Sequence, residues 1–482
     1  MPLTKAFFCH RLTLCFLIAA CAHVFGQTAP STPDHPWTPT YEQRIQMQNE
    51  GLQGPTFTVD PGKTYSLPEL VDLAEQHNPE TRYAWERAKT QAAALGIAQS
   101  ERYPVLGALA AGEADRFGLL FNESYIRQTT STSQLSLTLN YTILDFGRTP
   151  RIQQAAAQLL ATDFGFNNTH RKVIYQVENA YYRVLSTTAQ QEAAEVNLAN
   201  AQAVQAAAQE RLANGLATRP DLLEAQSATA QAQFDLQSAT GAKETARGDL
   251  AAAIGTLASV TVNVEPVTAI TTPDSIESTV EQLIDRALQQ RPDLLQQVAT
   301  LRAQESAVKE AHAAYYPKVS VGVVAGQQYL YGFQEQFPAT QTSLFGGSAL
   351  ASLNWTIFDG GARRSNLTQA QANSRATAAQ IDSTRNQIAD EVWRAYSNVK
   401  TAFRQREAAA ALLQSAQESY NAALEAYNYG VRNLLDVTNA QRVLAQARST
   451  DITARTQVLT TLSELAFRTG DLLRTGATPG KP

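Results

Sequence analysis

The sequence has almost no cysteine or methionine and no excess of basic residues. All three cysteines, Cys9, Cys15 and Cys21, lie at the N-terminus of the 482-residue chain. The rest of the chain can therefore form neither a disulfide bond nor a cysteine metal site. Met1 and Met47 are the only methionines, which argues against a methionine path for soft metal ions. The 39 Lys and Arg are outnumbered by 44 Asp and Glu, which argues against nucleic acid as a partner.

The sequence also lacks a catalytic constellation. Its six histidines are dispersed along the chain, and no metalloprotease, nucleophile-elbow or phosphate-loop motif occurs. The sequence therefore predicts a protein that is not an enzyme and that binds no cofactor or metal.

The first 20 residues have the pattern of an export signal. Lys5 and Arg11 precede an apolar stretch, residues 12–20, that is too short to span a bilayer as a helix. Two cleavage patterns overlap at its end. Ile18-Ala19-Ala20-Cys21 resembles a lipobox, which would make Cys21 the lipid-modified first residue of the mature chain, whereas Ala20-Cys21-Ala22 fits an ordinary signal peptidase. Export follows from both patterns.

An internal repeat at a spacing of about 213 to 215 residues indicates a duplicated unit the size of a domain. The landmarks recur in the same order in both halves. The matched pairs are Asn78-Pro79-Glu80 with Arg291-Pro292-Asp293, Tyr103-Pro104 with Tyr316-Pro317, Asp145-Phe146-Gly147 with Asp359-Gly360-Gly361, Ala180-Tyr181 with Ala395-Tyr396, and Asn214-Gly215 with Tyr429-Gly430.

Each copy is predicted to hold two short helices and one pair of long helices. In the first copy the short helices cover residues 68–77 and 79–102, and Tyr103-Pro104 ends the second one because a residue before proline is pushed out of the helical region. The long helices cover 148–213 and 220–253, with 363–428 and 434–468 in the second copy. A helix of that length is a rod of roughly 100 Å, far beyond the mean globular helix.

Two strands are predicted between the short and the long helices of each copy. Residues 133–144 alternate strictly between apolar and polar side chains, and 348–358 do so less cleanly. The strands before them, 105–112 and 319–331, are richer in glycine, and strands of roughly 10 residues have the length of a tilted bilayer crossing. A soluble sandwich is the alternative, but it needs more than four strands.

The segments between the paired strands, 113–132 and 332–344, are polar and are predicted to be long loops on one side of the membrane. The long helices carry alanine at many positions where a leucine core is expected, which favours close, flat packing of helices. An ordinary coiled-coil stalk would explain these helices equally well, but it would not explain the strands or the duplication.

The predicted fold class is an α+β membrane protein with a duplicated unit. The expected divisions are a signal peptide 1–20, an extended segment 21–66, a first repeat 67–257, a linker 258–277, a second repeat 278–470 and a tail 471–482.

Over residues 67–470 the chain resembles the TolC-like outer-membrane efflux channel family. The most specific match is the segment 427–437, Tyr-Asn-Tyr-Gly-Val-Arg-Asn-Leu-Leu-Asp-Val. The resemblance implies a homotrimer in the outer membrane, in which each subunit gives four strands to a shared twelve-stranded barrel and its long helices form a tunnel through the periplasm. It also implies three partners: outer-membrane lipid, a periplasmic adaptor and an inner-membrane pump.

The resemblance also implies a gate at the helix tips. Tyr427, Arg432 and Asp221 match residues that close such tunnels, and Asp221 can pair with Arg432 or Tyr427 across the helices. Asp436 matches the first of two acidic constriction residues, whereas the second position is Asn439. Asp436 is alternatively a helix N-terminal charge that pairs with the dipole. The adaptor is expected to contact the turns at Asn214, Gly215, Gly430 and Val431.

Aromatic residues near the strand ends have two interpretations. Tyr141, Phe146, Trp355 and Phe358 can form girdles at the membrane boundary or pack against the strand-to-helix junctions. The glycines of the Asp-Phe-Gly and Asp-Gly-Gly segments are expected to allow unusual backbone angles in tight turns.

The favoured function is a passive conduit of a tripartite efflux pump or a type I secretion system, opened at the tips by the adaptor. The rival is an exported coiled-coil scaffold or a trimeric surface adhesin.

Overall fold

A computed structural model describes residues 45, 57, 59–60, 62–121, 124–265, 278–334 and 337–474. From Phe57 onward the described residues belong to one compact unit that contains both copies. The predicted signal peptide, Cys21 and most of the segments 21–66 and 258–277 lie outside the described residues.

Both copies contain the same elements in the same order. The first copy comprises β1 (Thr64–Tyr65), α1 (Leu67–His77), α2 (Pro79–Ser100), β2 (Val105–Phe121), β3 (Ser124–Leu144), α3 (Arg148–Ala213) and α4 (Arg219–Ala253). The second comprises β4 (Asn263–Val264), α5 (Val280–Gln290), α6 (Pro292–Ala313), β5 (Lys318–Gln334), β6 (Phe337–Asn354), α7 (Ala362–Asn428) and α8 (Leu434–Thr469). A short 3-10 helix, Asp471–Arg474, follows at the start of the predicted tail.

The predicted helices are confirmed to within two residues at either end. α3 has the predicted bounds and 66 residues, and α7 has 67. None of the helices within the described ranges is both long and apolar enough to cross a membrane.

The predicted long loops are wrong. Residues 113–121 and 124–132 are strand, so β2 and β3 are 17 and 21 residues long and form one hairpin. Most of 332–344 is likewise strand in β5 and β6. Hairpin pairing satisfies the backbone of these segments whatever their side chains, so their polarity did not indicate a loop.

The predicted end of the last strand at residue 358 is also wrong, because β6 ends at Asn354. Asn354 pairs with Lys318, the first residue of β5. Pro317 precedes Lys318 and has no N–H to continue the ladder. Trp355 instead donates its indole N–H to the carbonyl of Tyr315 at 3.1 Å.

The four long strands form one antiparallel sheet with the order β2-β3-β5-β6. The β3–β5 pairing joins the two copies and runs from Gln128 opposite Gln334 to Leu144 opposite Val319. β1 and β4 form a separate parallel pair. The duplicated hairpins therefore lie side by side, with β2 and β6 at the outer edges.

The long helices extend from the sheet as two successive layers. Near the sheet, α2, α3, α6 and α7 pack in that order, and farther away α4, α3, α8 and α7 do so. α3 and α7, with 66 and 67 residues, belong to both layers because they are about two to three times as long as their partners, which have 22 to 36 residues.

Alanine occupies the seam along α7 at intervals of seven residues. The buried members are Ala395, Ala402, Ala409, Ala416 and Ala423. A strict seven-residue repeat indicates left-handed supercoiling, and the small side chain lets neighbouring helices approach closely. The predicted alanine seams are therefore present.

In both copies, the residue between the two short helices donates a side-chain hydrogen bond to a carbonyl at the end of the second long helix. We call these second long helices, α4 and α8, the return helices. In the first copy, Asn78 donates its side-chain N–H to the carbonyl of Ala253 at 2.8 Å and accepts from the N–H of Glu80. In the second, Arg291 donates to the carbonyl of Arg468 at 3.4 Å.

The contact in the second copy is part of a buried ionic network, which we call the charged junction: Arg171, Arg291, Asp293, Glu391 and Arg468. Arg291 bridges Asp293 at 2.6 Å and Glu391 at 2.7 Å, and its side chain is almost fully buried. Burial lowers the pKa of Arg171 to about 10, with the charge of Asp293 opposing that shift. Burial would raise the pKa of Asp293, but hydrogen bonds and charge from Arg291 outweigh it and lower that pKa.

The aromatic residues near the strand ends pack partly against the strand-to-helix junctions. The rings of Phe146 and Tyr316 are 4.9 Å apart, and the Arg148 guanidinium lies 5.6 Å from the ring of Tyr141. Phe358 is exposed.

The expectation that Gly147 adopts an unusual backbone angle is wrong, because its φ is −80°. Gly360 and Gly361 do have positive φ.

Candidate functional site at the helix tips

The two helix pairs end in matching turns. At the first, Gly215 has φ 74°, and the N–H of Leu216 donates to the carbonyl of Arg211 at 2.8 Å. At the second, Gly430 has φ 75°, and the N–H of Val431 donates to the carbonyl of Ala426 at 2.9 Å. This pattern is a Schellman motif, and its left-handed residue favours glycine. The predicted turns are confirmed.

The first return helix begins with a capped turn. The carboxylate of Asp221 accepts hydrogen bonds from the N–H and the hydroxyl of Thr218, at 2.8 and 2.7 Å. The side-chain hydrogen bond from Thr218, followed by the backbone one, lowers the pKa of Asp221. Among the described residues, Asp221 makes no bond to Arg432 or Tyr427 within the protomer. Its place in a gate therefore stays a prediction.

The second return helix begins with a turn that a side chain of different type caps. Asn433 caps it by accepting from the N–H of Asp436 at 3.0 Å. Arg432 lies 4.0 Å from the carboxylate of Asp436, and both side chains are largely solvated. Such a pair stabilises a protein by only about 0 to 1 kcal/mol. Asn439 is exposed and accepts from Arg442 at 3.0 Å.

Tyr427 is buried, with 6% of its surface exposed, and its neighbour is Arg211 from the other turn. The guanidinium of Arg211 lies 4.3 Å from the centroid of the Tyr427 ring. It also donates to the carbonyls of Tyr427 at 2.9 Å and Asn428 at 3.4 Å. The sequence did not single out Arg211. A basic residue in the last helical turn was the available signal, but it does not reveal a partner on another helix.

An apolar core holds the tips of all four long helices together. Val204 and Ala208 of α3, Ala225 of α4, Tyr420 of α7 and Leu444 of α8 belong to it.

Beyond this core, each turn exposes one apolar side chain directly after its glycine. Leu216 is 74% exposed and Val431 is 79% exposed. The tips are therefore joined within the protomer but present apolar residues outward.

A duplicated chain in which a four-stranded sheet of long strands continues into helices of more than 60 residues defines a class of outer-membrane channel proteins. The chain belongs to the outer membrane efflux protein family, whose model matches residues 70–256 and 283–471.

Curated relatives extend over nearly the whole chain. Outer membrane protein OprJ of Pseudomonas aeruginosa is 26% identical over 445 residues, which cover 91% of this chain and 90% of that protein. The cation efflux system protein CusC of Escherichia coli strain K12 is 24% identical and covers 84% of each chain.

Solved structures share the fold. A membrane protein from Pseudomonas aeruginosa superposes with a TM-score of 0.74 at 24% identity, covering 92% of this chain and 96% of that one. The outer membrane protein VceC of Vibrio cholerae superposes with a TM-score of 0.69 at 20% identity, covering 84% and 96%. The family and the fold favour the channel over the rival scaffold or adhesin.

Proposed function

We propose that the chain is one subunit of a homotrimeric outer-membrane channel, the passive exit duct of a tripartite efflux pump. The observation that carries the proposal is the open sheet. Within the described residues β2 and β6 pair on one side only, although they are 17 and 18 residues long. Long unpaired edges are aggregation-prone unless they are covered or closed into a barrel. Three copies, each pairing its β2 with the β6 of the next, would close a barrel of twelve strands.

The helix layers support the same threefold arrangement of subunits. Their outer members are α2 and α4 on one side and α7 on the other. Large aromatic side chains are exposed on these helices, Trp85 on α2, Phe234 on α4 and Trp393 on α7. Packing of α7 against α2 and α4 of the next subunit would cover them and close the layers into a tunnel.

The strands have a surface that suits lipid. Leu135 and Leu137 are exposed on β3, and Ser136 between them is buried. Alternation of this kind places apolar side chains toward lipid in outer-membrane barrels. We therefore place the sheet in the outer membrane and the long helices in the periplasm, with Cys21 as a candidate lipid anchor.

Oligomeric state tests the closure of the sheet. Purified protein in detergent should migrate as a trimer on electrophoresis without heating and as a monomer after boiling. A monomer in detergent, confirmed by its mass in light scattering, would overturn the proposal.

Two partners follow from this role. A periplasmic adaptor would dock on the exposed turns at Asn214, Gly215, Gly430 and Val431, and an inner-membrane pump would supply the energy. The exposed apolar side chains of Leu216 and Val431 support docking there. CusC is a cation efflux system protein by name, and efflux is the role we propose here.

The gate is proposed to lie at the second turn and to include Tyr427 at the end of α7, Arg432 in the turn and Asp436 at the start of α8. Asp221 and Asn439 are proposed as further members of the gate. The weak, solvated Arg432–Asp436 pair supports a lock that a docking partner can open. Arg432→Ser and Tyr427→Phe should each raise the resting conductance of trimers in planar bilayers. Unchanged conductance in both variants would remove these residues from the gate.

A further inference from the structure

Arg211 links the two turns of one protomer. It lies four residues before Gly215 at the end of α3, and in the described part of the tips its side chain makes three contacts, all with α7. Two of these contacts are to carbonyl oxygens, and the third is to the ring of Tyr427. In the described part of the tips, Arg211 is thus a side chain that bonds one turn region to the other.

The position of these contacts makes them favourable. Tyr427 and Asn428 are the last two residues of α7, where carbonyls lack partners within the helix and the helix dipole is negative. The guanidinium of Arg211 adds a second hydrogen bond to the carbonyl of Tyr427, which also accepts from the N–H of Gly430, and it bonds the carbonyl of Asn428. Its positive charge also has the favourable sign at this negative end of the helix dipole. Because the Tyr427 ring is buried, the contact is also shielded from water.

The link has no counterpart in the other direction. In the internal repeat, the position equivalent to Arg211 is Ala426, and the position equivalent to Arg432 is Ala217. The first turn therefore holds the second through Arg211, and the duplication does not supply the reverse bond.

We propose that Arg211 is a positioning residue that couples the two turns, so that a partner docked on the first turn acts on the gate through Tyr427. The proposal rests on the gate and the adaptor of the proposed function, and it adds the path between them. Docking at Leu216 would shift the end of α3, and Arg211 would carry that shift to the end of α7.

Resting conductance in planar bilayers tests the coupling. Arg211→Ala should raise the open probability of the trimer about tenfold, the effect expected for loss of one hydrogen bond from a charged donor. Arg211→Gln, which keeps most of the side-chain volume, should do the same if the alanine variant does not assemble. Arg219→Ala is the matched control, because it removes the same charge from an exposed position on the same turn, and it should behave as the wild type.

A double-mutant cycle separates coupling from a general loss of packing. Tyr427→Leu removes the ring that Arg211 covers. If the two residues act as one unit, the effects of Arg211→Ala and Tyr427→Leu on open probability will be less than additive in free energy. Additive effects would overturn the proposal.

The outcomes also separate this inference from the gate itself. If Arg432→Ser raises conductance and Arg211→Ala does not, the gate stands and the coupling through Arg211 is wrong. If neither variant changes conductance, the gate proposal fails and the coupling fails with it.

Discussion

The charged junction and the helix tips hold α3, α7 and α8 together by opposite means. The junction buries Arg291 against two carboxylates at 2.6 and 2.7 Å. The tips share an apolar core, and their polar contacts include a solvated pair at 4.0 Å and the link from Arg211. Breaking a buried ion pair costs about 3 to 5 kcal/mol, and breaking a solvated one about 0 to 1 kcal/mol. The ionic contacts are therefore strong where the two helix layers meet and weak at the tips, as a gate at the tips requires.

The largest expected effect comes from Arg291→Leu. The substitution leaves the carboxylates of Asp293 and Glu391 without their main partner, and we expect the free energy of unfolding to fall by about 3 to 5 kcal/mol. Denaturant unfolding in detergent measures it. Arg286→Leu is the control, because its bond to Asp471 is partly exposed, and it should cost no more than about 1 kcal/mol. Equal losses in both variants would contradict the account of the junction.

The next largest effect is a difference in stability between alanine substitutions at two glycines, Gly215 before α4 and Gly255 after it. Gly255, at the end of α4, has φ 87°, and a Cβ there would lie 2.9 Å from the Cα of Asn78. Gly215 has φ 74° but nothing within 4 Å of such a Cβ. Gly215→Ala should cost about 1 to 2 kcal/mol for the left-handed backbone alone, and Gly255→Ala should cost more because backbone must also move. Thermal melting compares them, and a larger loss at Gly215 would refute the steric argument.

The next effect is a pH dependence of stability at Glu178, which lies near the charged junction. Burial raises the pKa of Glu178, and a hydrogen bond from the Ser463 hydroxyl opposes the shift. Because the folded state holds this proton more tightly than the unfolded state, stability is lost as pH rises from about 4.5 through the raised pKa. Glu178→Gln should melt higher than the wild type at pH 8 and closer to it at pH 4. A larger gain at the acidic pH would reverse the sign.

The smallest effect on stability should come from Arg432→Ser. Its partner Asp436 is largely solvated, so we expect the free energy of unfolding to change by about 1 kcal/mol or less. The same variant should still raise the resting conductance. A stability loss as large as that of Arg291→Leu would mean that the tip is a structural fastening rather than a lock.

The sequence predicted the elements that local signals define and missed the features that depend on contacts between distant residues. α3 could be placed at residues 148–213 because helix-ending signals flank a run with few glycines and no proline after Pro150. The extension of β3 through Ser124–Thr132 was missed because its order comes from pairing with β2 and β5, and no apolar alternation marks it. Arg211 was missed for a similar reason, since its partners lie 216 and 217 residues away in the sequence.

The duplication predicted the positions of the two turns at the tips but not the side-chain bonds around them. Gly215 and Gly430 occupy equivalent turns, as the repeat predicted. The residues around them have diverged: Asp221 caps its own helix through Thr218, and Asp436 faces Arg432 instead. A repeat predicts the backbone that both copies share, and the side-chain bonds follow from where the copies differ.

Single-channel recording tests the central claim most directly, that three of these open sheets close into a duct continued by the long helices. Trimers purified without heating and added to planar bilayers should give stepwise conductance, with a higher open probability for Arg432→Ser than for the wild type. Folded trimers that insert into the bilayer and pass no current, with or without the substitution, would contradict it.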